Sequence, residues 1–237
     1  MLIQVQGAPA SGKTFSMRNL DPKSTFIINS DGSKPPSWRG SKLQYNVSNK
    51  NYAEIIDVPT VKSYIQAIVE RRPEIKVIII DTLTLLMEEA LIADKSRNQL
   101  EKYRNYSDTA FDLFSFCSRL KRGDDDDLFI IFMLHTDTKK AVDHLGQEVL
   151  VEVAKYAGFA TAKNTLTKFS NYVLKTFIDM TEETVADRFK LLTQSSGKDE
   201  IRSVEGVLPY MMGNDLNEVL NLIRKHDLCL PAYQDKA

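Results

Sequence analysis

The segment Gly7-Ala8-Pro9-Ala10-Ser11-Gly12-Lys13-Thr14 constrains this chain more than any other stretch of its sequence. It satisfies the pattern G-x-x-x-x-G-K-[ST], directly after the apolar run Leu2 to Gln6. Each position answers a physical need. The glycines let the backbone curl until successive N–H groups point inward at anionic oxygens. The residues after Lys13 read as a helix ending near Asn19-Leu20-Asp21-Pro22, and a helix start adds a positive dipole end. Lys13 is then placed to reach the β- and γ-phosphates, and the Thr14 hydroxyl to ligate Mg²⁺. At average composition the bare pattern arises by chance in roughly one chain in a hundred. The strand before it and the helix after it lower that figure. Residues 7 to 14 therefore predict a site for ATP and Mg²⁺.

The rest of the chain reads as an α/β protein. Thr25-Phe26-Ile27-Ile28-Asn29 is a second buried strand, followed by loop text from Ser30 to about Asn51. Val61 to Arg72 has helical spacing through Ile65, Ile68 and Val69. Val77-Ile78-Ile79-Ile80-Asp81 is apolar at four successive positions, as expected when helices cover both faces of a sheet. Helices are predicted from about Thr82 to Arg97 and from about Ser107 to Arg122, then an apolar strand from Leu128 to Leu134. Strands separated by helices imply a mainly parallel sheet with right-handed crossovers. Later, Tyr172 to Met180 and Phe189 to Thr193 look like a C-terminal β-hairpin, and Asp215 to Lys225 reads as a final amphipathic helix. No repeat or linker divides the chain, so 1–237 reads as one domain.

Three polar residues fall at strand ends. Asp81 closes the most apolar strand, where a carboxylate for Mg²⁺ belongs; an aspartate there also serves as a simple helix cap. Thr82 follows it, not a glutamate, so a hydrolytic base must come from elsewhere. Asp31, just past the second strand, is the first choice, with an ordinary turn aspartate before Gly32 as the other reading. His135 ends the strand Phe132-Met133-Leu134-His135, placed to sense a γ-phosphate or the attacking water.

Composition narrows the partners. Apolar residues make up 43% and charged residues 27% of the 237, ordinary for a globular chain long enough to build a sizeable core. No run approaches a bilayer span and no secretory signal opens the chain, which points away from membranes and to the cytoplasm. Cys117 and Cys229 match no zinc or redox spacing and read as reduced thiols. A net charge of −1 means that any nucleic-acid contact must come from a local patch. One stretch fits: between Val153 and Ile178 there is no acidic residue, while Lys155, Lys163, Lys168 and Lys175 alternate with Tyr156, Phe159, Phe169, Tyr172 and Phe177. Cations to track a backbone and rings to stack bases suit single-stranded DNA. Core aromatics beside solvated lysines would produce the same text.

Taken together, these segments resemble the RecA-like P-loop ATPase core in its short phage-encoded form, which includes single-strand annealing recombinases. The resemblance rests on Gly7 to Thr14, Phe26 to Asn29 with Asp31, Lys34-Pro35-Pro36-Ser37-Trp38, Val77 to Asp81 and Phe132 to Thr136. It continues in Phe189-Lys190-Leu191-Leu192-Thr193-Gln194 and Gly213-Asn214-Asp215-Leu216. It implies an ATPase that assembles into rings or filaments with ATP between subunits, working on single-stranded DNA, alongside a single-strand-binding protein, in the host bacterial cytosol. It also implies a basic residue on a late hairpin that reaches the neighbour's γ-phosphate; Arg202 falls at that position, with Lys198 nearby. Where such cores carry a glutamate this chain has Asp31, one methylene shorter, which points to slow hydrolysis. The competing readings are a helicase loader or assembly ATPase, and a nucleoside or nucleotide kinase.

Overall fold

The computed structural model describes residues 1–31, 36, 38–96, 98–123, 127–142, 146–155 and 166–227. Within them run the strands β1 (Leu2–Gly7), β2 (Thr25–Asn29), β3 (Tyr52–Glu54), β4 (Val77–Asp81), β5 (Phe129–Val142), β6 (Glu148–Ala154), β7 (Tyr172–Ile178), β8 (Phe189–Leu192) and β9 (Met211–Gly213). The helices are α1 (Ser41–Gln44), α2 (Val58–Arg71), α3 (Leu83–Ala93), α4 (Gln99–Arg119), α5 (Val185–Arg188) and α6 (Leu216–Asp227). The sheet order is β3-β2-β4-β5-β1-β7-β8-β9, with β6 attached to the outer length of β5. Pairings from β3 across to β7 are parallel, and β7–β8 and β8–β9 are antiparallel. This is the mainly parallel α/β sheet with a C-terminal hairpin that the sequence implies.

β4 shows how the sheet divides the molecule. Ile78 and Ile80 join a core with Leu86, Leu113 and Phe114, whereas Val77 and Ile79 join another with Met17, Leu216 and Leu220. Successive strand residues point to opposite faces, so a strand can be apolar throughout only when both faces are covered. Here α2, α3 and α4 cover one face and α6 contributes to the cover of the other. On α4 the buried positions Tyr106, Ala110, Leu113, Phe114 and Cys117 follow helical spacing.

Several boundaries differ from expectation, each for a local reason. The Asp57 carboxylate accepts the Thr60 N–H, and the Pro59 ring is tolerated in the first turn, so α2 begins three residues before Val61. Asn98 caps the Leu100 N–H and starts α4 well before Ser107. The long loop after β2 contains α1, and β3 then adds a three-residue edge too short and too polar to stand out.

Two corrections matter for function. The helix expected after Lys13 is a single 3-10 turn, Thr14–Met17. Arg18 donates to Phe15 O and Leu20 to Met17 O, three residues back, before Asp21-Pro22 ends the segment. So short a turn sums few peptide dipoles, and the expected helix-dipole contribution is small. Second, β5 does not stop at Leu134: it runs on to Val142 and pairs antiparallel with β6, forming a hairpin arm.

Candidate nucleotide site

The loop between β1 and the 3-10 turn is fixed from outside as much as by its own sequence. A Cβ on Gly7 would stand 2.2 Å from Thr176 Oγ1 and 2.5 Å from Ser11 Oγ, and those two hydroxyls bond each other at 2.6 Å. Gly12 has φ +99°, and a Cβ there would meet Asn214 Nδ2 at 2.6 Å and the Phe189 ring at 2.7 Å. Glycine is thus required at Gly7 by crowding and at Gly12 by both crowding and backbone geometry. Asn214 Nδ2 donates to Gly12 O at 2.9 Å. The loop is therefore clamped by β7, β8 and the segment entering α6.

Lys13 is buried, and its ammonium donates to Gly7 O and Ala8 O, each at 2.8 Å. It also lies 3.3 Å from His135 Nδ1. That contact follows from register, because Gly7 is paired with His135 across the parallel β1–β5 ladder. Burial pulls the lysine down to about 8, against the opposing pull of the Asp81 carboxylate. His135 is also pushed down, first by burial and then by the charges of Lys13 and Lys155. A neutral imidazole beside an ammonium follows.

Asp81 sits opposite. Its Oδ2 accepts the Thr14 hydroxyl at 2.9 Å, while Oδ1 is buried with no hydrogen-bond partner. Burial raises this carboxyl to about 6; the Thr14 bond and Lys13 oppose the shift and Asp31 adds to it. The Asp81–Thr82 peptide is cis. Asn29 pairs with Asp81 across β2–β4, which brings Asp31, two residues on, to the same rim. A cavity of about 700 Å³ joins Ala10, Lys13, Thr14, Asp31, Asp81 and His135.

These groups fit Mg²⁺. It takes one or two protein oxygens together with phosphate oxygens and water, in place of an all-protein cage. Thr14 and Asp81 present a hydroxyl and an orphaned carboxylate oxygen side by side. Among the described residues no group of three or more His, Cys, Asp or Glu side chains could hold a metal alone.

Of the residues singled out from sequence, Pro9, Ala10, Gly12, Lys13, Thr14, Asp31, Asp81 and His135 line this one cavity. Gly7, Ala8 and Ser11 complete the loop. Arg202 is placed elsewhere: its guanidinium donates to Thr167 O at 2.6 Å and to Ser170 O, holding the 3-10 turn Leu166–Phe169 beside β7. Lys155 pairs with Glu88 at 3.0 Å, and its N–H donates to His135 O at 2.7 Å. The Phe169 ring meets Phe111 edge-on at 5.1 Å and packs on the α4 core, and the Lys168 ammonium lies 5.4 Å from both ring centroids. The Phe169 ring is thus occupied by internal packing here, which the sequence text alone does not reveal. Tyr156 and Lys163 lie outside the described residues.

Four residues at the site carry no expectation from their own sequence position. Thr176 and Asn214 hold the loop, and Phe189 covers it at Gly12. Thr84 accepts the His135 N–H at 2.9 Å and donates to Lys155 O at 3.2 Å, tying α3 to the strand end. Nothing in their local pattern marks them; Phe189 and Asn214 were signalled only within segments carrying the family resemblance.

No protein-family model matches the chain, and no curated protein matches it either. Among solved structures, a RadB recombinase is similar at 13% identity and a TM-score of 0.49, over 81% of this chain and 79% of that one. The flagellar accessory protein FlaH from Methanocaldococcus jannaschii is similar at 15% identity and a TM-score of 0.40, over 81% of this chain and 75% of that one.

Proposed function

We propose that the chain is a Mg²⁺-dependent ATP-binding protein, a RecA-like ATPase domain spanning 1–237 that hydrolyses ATP slowly. The observation that carries this reading is the Thr14–Asp81 pair with its unpartnered carboxylate oxygen, placed beside the Lys13 ammonium in one cavity. Bound Mg²⁺ would neutralise charge on the phosphates. Lys13 exchanges its loop carbonyls for phosphate oxygens, Thr14 and Asp81 hold the cation, and Asp31 takes a proton from the attacking water. His135 loses its lysine neighbour when Lys13 turns to phosphate, and its carbonyl contact with Lys155 passes that change into the β5–β6 arm.

The finer reading is action on single-stranded DNA in phage recombination or annealing, by rings or filaments in which Arg202 of one copy reaches the nucleotide of the next. The cationic run of Lys155, Lys163 and Lys168 with Tyr156 supports it. A second reading has ATP act as a conformational switch in a loader or assembly ATPase. The packed Phe169 favours it, since its ring is turned onto the α4 core.

Fluorescence anisotropy of labelled single-stranded DNA separates the two readings, measured with and without a non-hydrolysable ATP analogue. Tight binding only with the analogue supports the recombinase reading. No binding in either state, with ATP still bound, leaves the switch.

A further inference from the structure

The site cavity has two chemically different ends. Its polar described lining is Lys13, Thr14, Asp31, Asp81, Thr82 and His135, all in the loop or the segments at the carboxyl ends of β2, β4 and β5. Beside the loop the same cavity is lined by Phe15, the residue after Thr14, and by Phe189 at the start of β8. Phe15 directly follows Thr14 and Phe189 packs against the Gly12 position, so both rings flank the phosphate loop itself, within reach of a base whose phosphates lie on that loop.

The aromatic end is built rather than incidental. Phe15 and Phe189 lie with ring centroids 5.5 Å apart and planes tilted by 48°. Arg18 sits over the Phe15 ring at 4.2 Å and is held there by bonds to Asn214 O at 2.5 Å and Phe15 O at 3.2 Å. Asn214 in turn holds Gly12 O, so ring, guanidinium and phosphate loop share one support. Both rings are only half buried. An aromatic pair left partly open beside a phosphate loop offers a face to another flat ring.

We infer that Phe189, with Phe15, forms the seat of the nucleobase, and that the site selects purine triphosphates by stacking area while discriminating little between adenine and guanine. The inference rests on reading the loop as a triphosphate site. The second half follows from the lining. A pocket that rejects the wrong base strongly needs buried donors or acceptors that the wrong base leaves unpaired. Among the described residues the polar lining groups lie at the phosphate end. Every base has a π-face, so stacking tolerates base identity and rewards ring size.

Calorimetric titration with ATP, GTP, CTP and inorganic tripolyphosphate, each with Mg²⁺, tests this on the full chain and on the Phe189→Ala and Phe189→Tyr variants. The expected result is ATP and GTP within about fivefold of each other and CTP weaker than both. Phe189→Ala weakens ATP by about 5- to 100-fold and tripolyphosphate by clearly less, since the ring also packs on Gly12, and Phe189→Tyr restores ATP. An equal loss of the two ligands overturns the base seat. An ATP affinity unchanged in Phe189→Ala, with Phe189→Tyr also unchanged, overturns the base seat alone. ATP more than about fiftyfold tighter than GTP overturns the tolerance. A wild-type protein that binds neither ATP nor tripolyphosphate overturns the seat together with the phosphate site beneath it.

Discussion

Thr14 donates its hydroxyl hydrogen to Asp81 Oδ2 at 2.9 Å and leaves Asp81 Oδ1 buried without a partner. A carboxylate held in this way is a liability to the empty protein and an asset to the loaded one. Burial raises it to about 6 from an ordinary 3.8, so between those values the folded chain holds a proton that the unfolded chain has released. Stability therefore falls as pH rises through that window, by about 3 kcal/mol in total at 1.36 kcal/mol per unit. Asp81→Asn removes the liability. It is expected to stabilise the Mg²⁺-free protein at pH 7 by about 1–2 kcal/mol and to flatten the slope between pH 4 and 6. Urea unfolding across that range checks this, and a less stable variant at pH 7 would contradict it.

Lys13 carries a second pH signature. Its folded value of about 8 reflects burial in the empty site, and phosphate contact favours the charged form. Above pH 8 the empty site loses the proton that the loaded site keeps. ATP affinity is expected to fall about tenfold per pH unit beyond that point, with proton uptake on binding. Titrations from pH 7 to 9.5 in buffers of differing ionisation heat read both quantities. Flat affinity with no proton uptake would refute the assignment.

The clamp on Gly12 gives a third prediction. Gly12→Ala must place a Cβ against Asn214 and Phe189 at positive φ, so loss of ATP binding and about 1–3 kcal/mol of stability is expected. Asn214→Ala removes only the bond to Gly12 O, at about 1 kcal/mol, with a few-fold loss of affinity. Equal effects of the two substitutions on ATP binding would show that the clamp, rather than the glycine backbone, controls the loop.

Much of this site was legible in the sequence because its parts are strand-end residues. The apolar run of β4 marks Asp81, the run of β5 marks His135, and the loop declares itself by its glycines and lysine. What stayed hidden depends on contacts distant in sequence. Thr176 and Asn214 reach the loop across 165 and 202 positions, and no local pattern carries that. The Phe169 ring and the Lys155 ammonium look alike in sequence whether they face solvent or partners inside the fold. β6 carries Val149, Val151 and Val153 at strand spacing, a fainter signal than the fully apolar runs of β4 and β5, and the 3-10 turn was obscured because a short apolar spacing fits either helix type.

Cys117 supplies a check on the fold that is independent of nucleotide. It lies in the α4 core, and burial pushes its thiol well above the usual range. In a Cys229→Ser background the native protein should resist an aromatic disulfide reagent and react fully once unfolded in urea. Reaction of the native protein at the rate of a free thiol would contradict the packing of α4 on the sheet.

The most direct test of the central claim is the Mg²⁺ dependence of ATP affinity, measured by calorimetry in the wild type, Lys13→Ala and Asp81→Asn. The expected result is a wild-type affinity that rises about 10- to 100-fold with Mg²⁺, an Asp81→Asn protein that binds ATP but gains little from Mg²⁺, and a Lys13→Ala protein with no measurable binding. An Asp81→Asn variant that gains as much as the wild type, or a Lys13→Ala variant that binds ATP unchanged, would contradict the site built from these three residues.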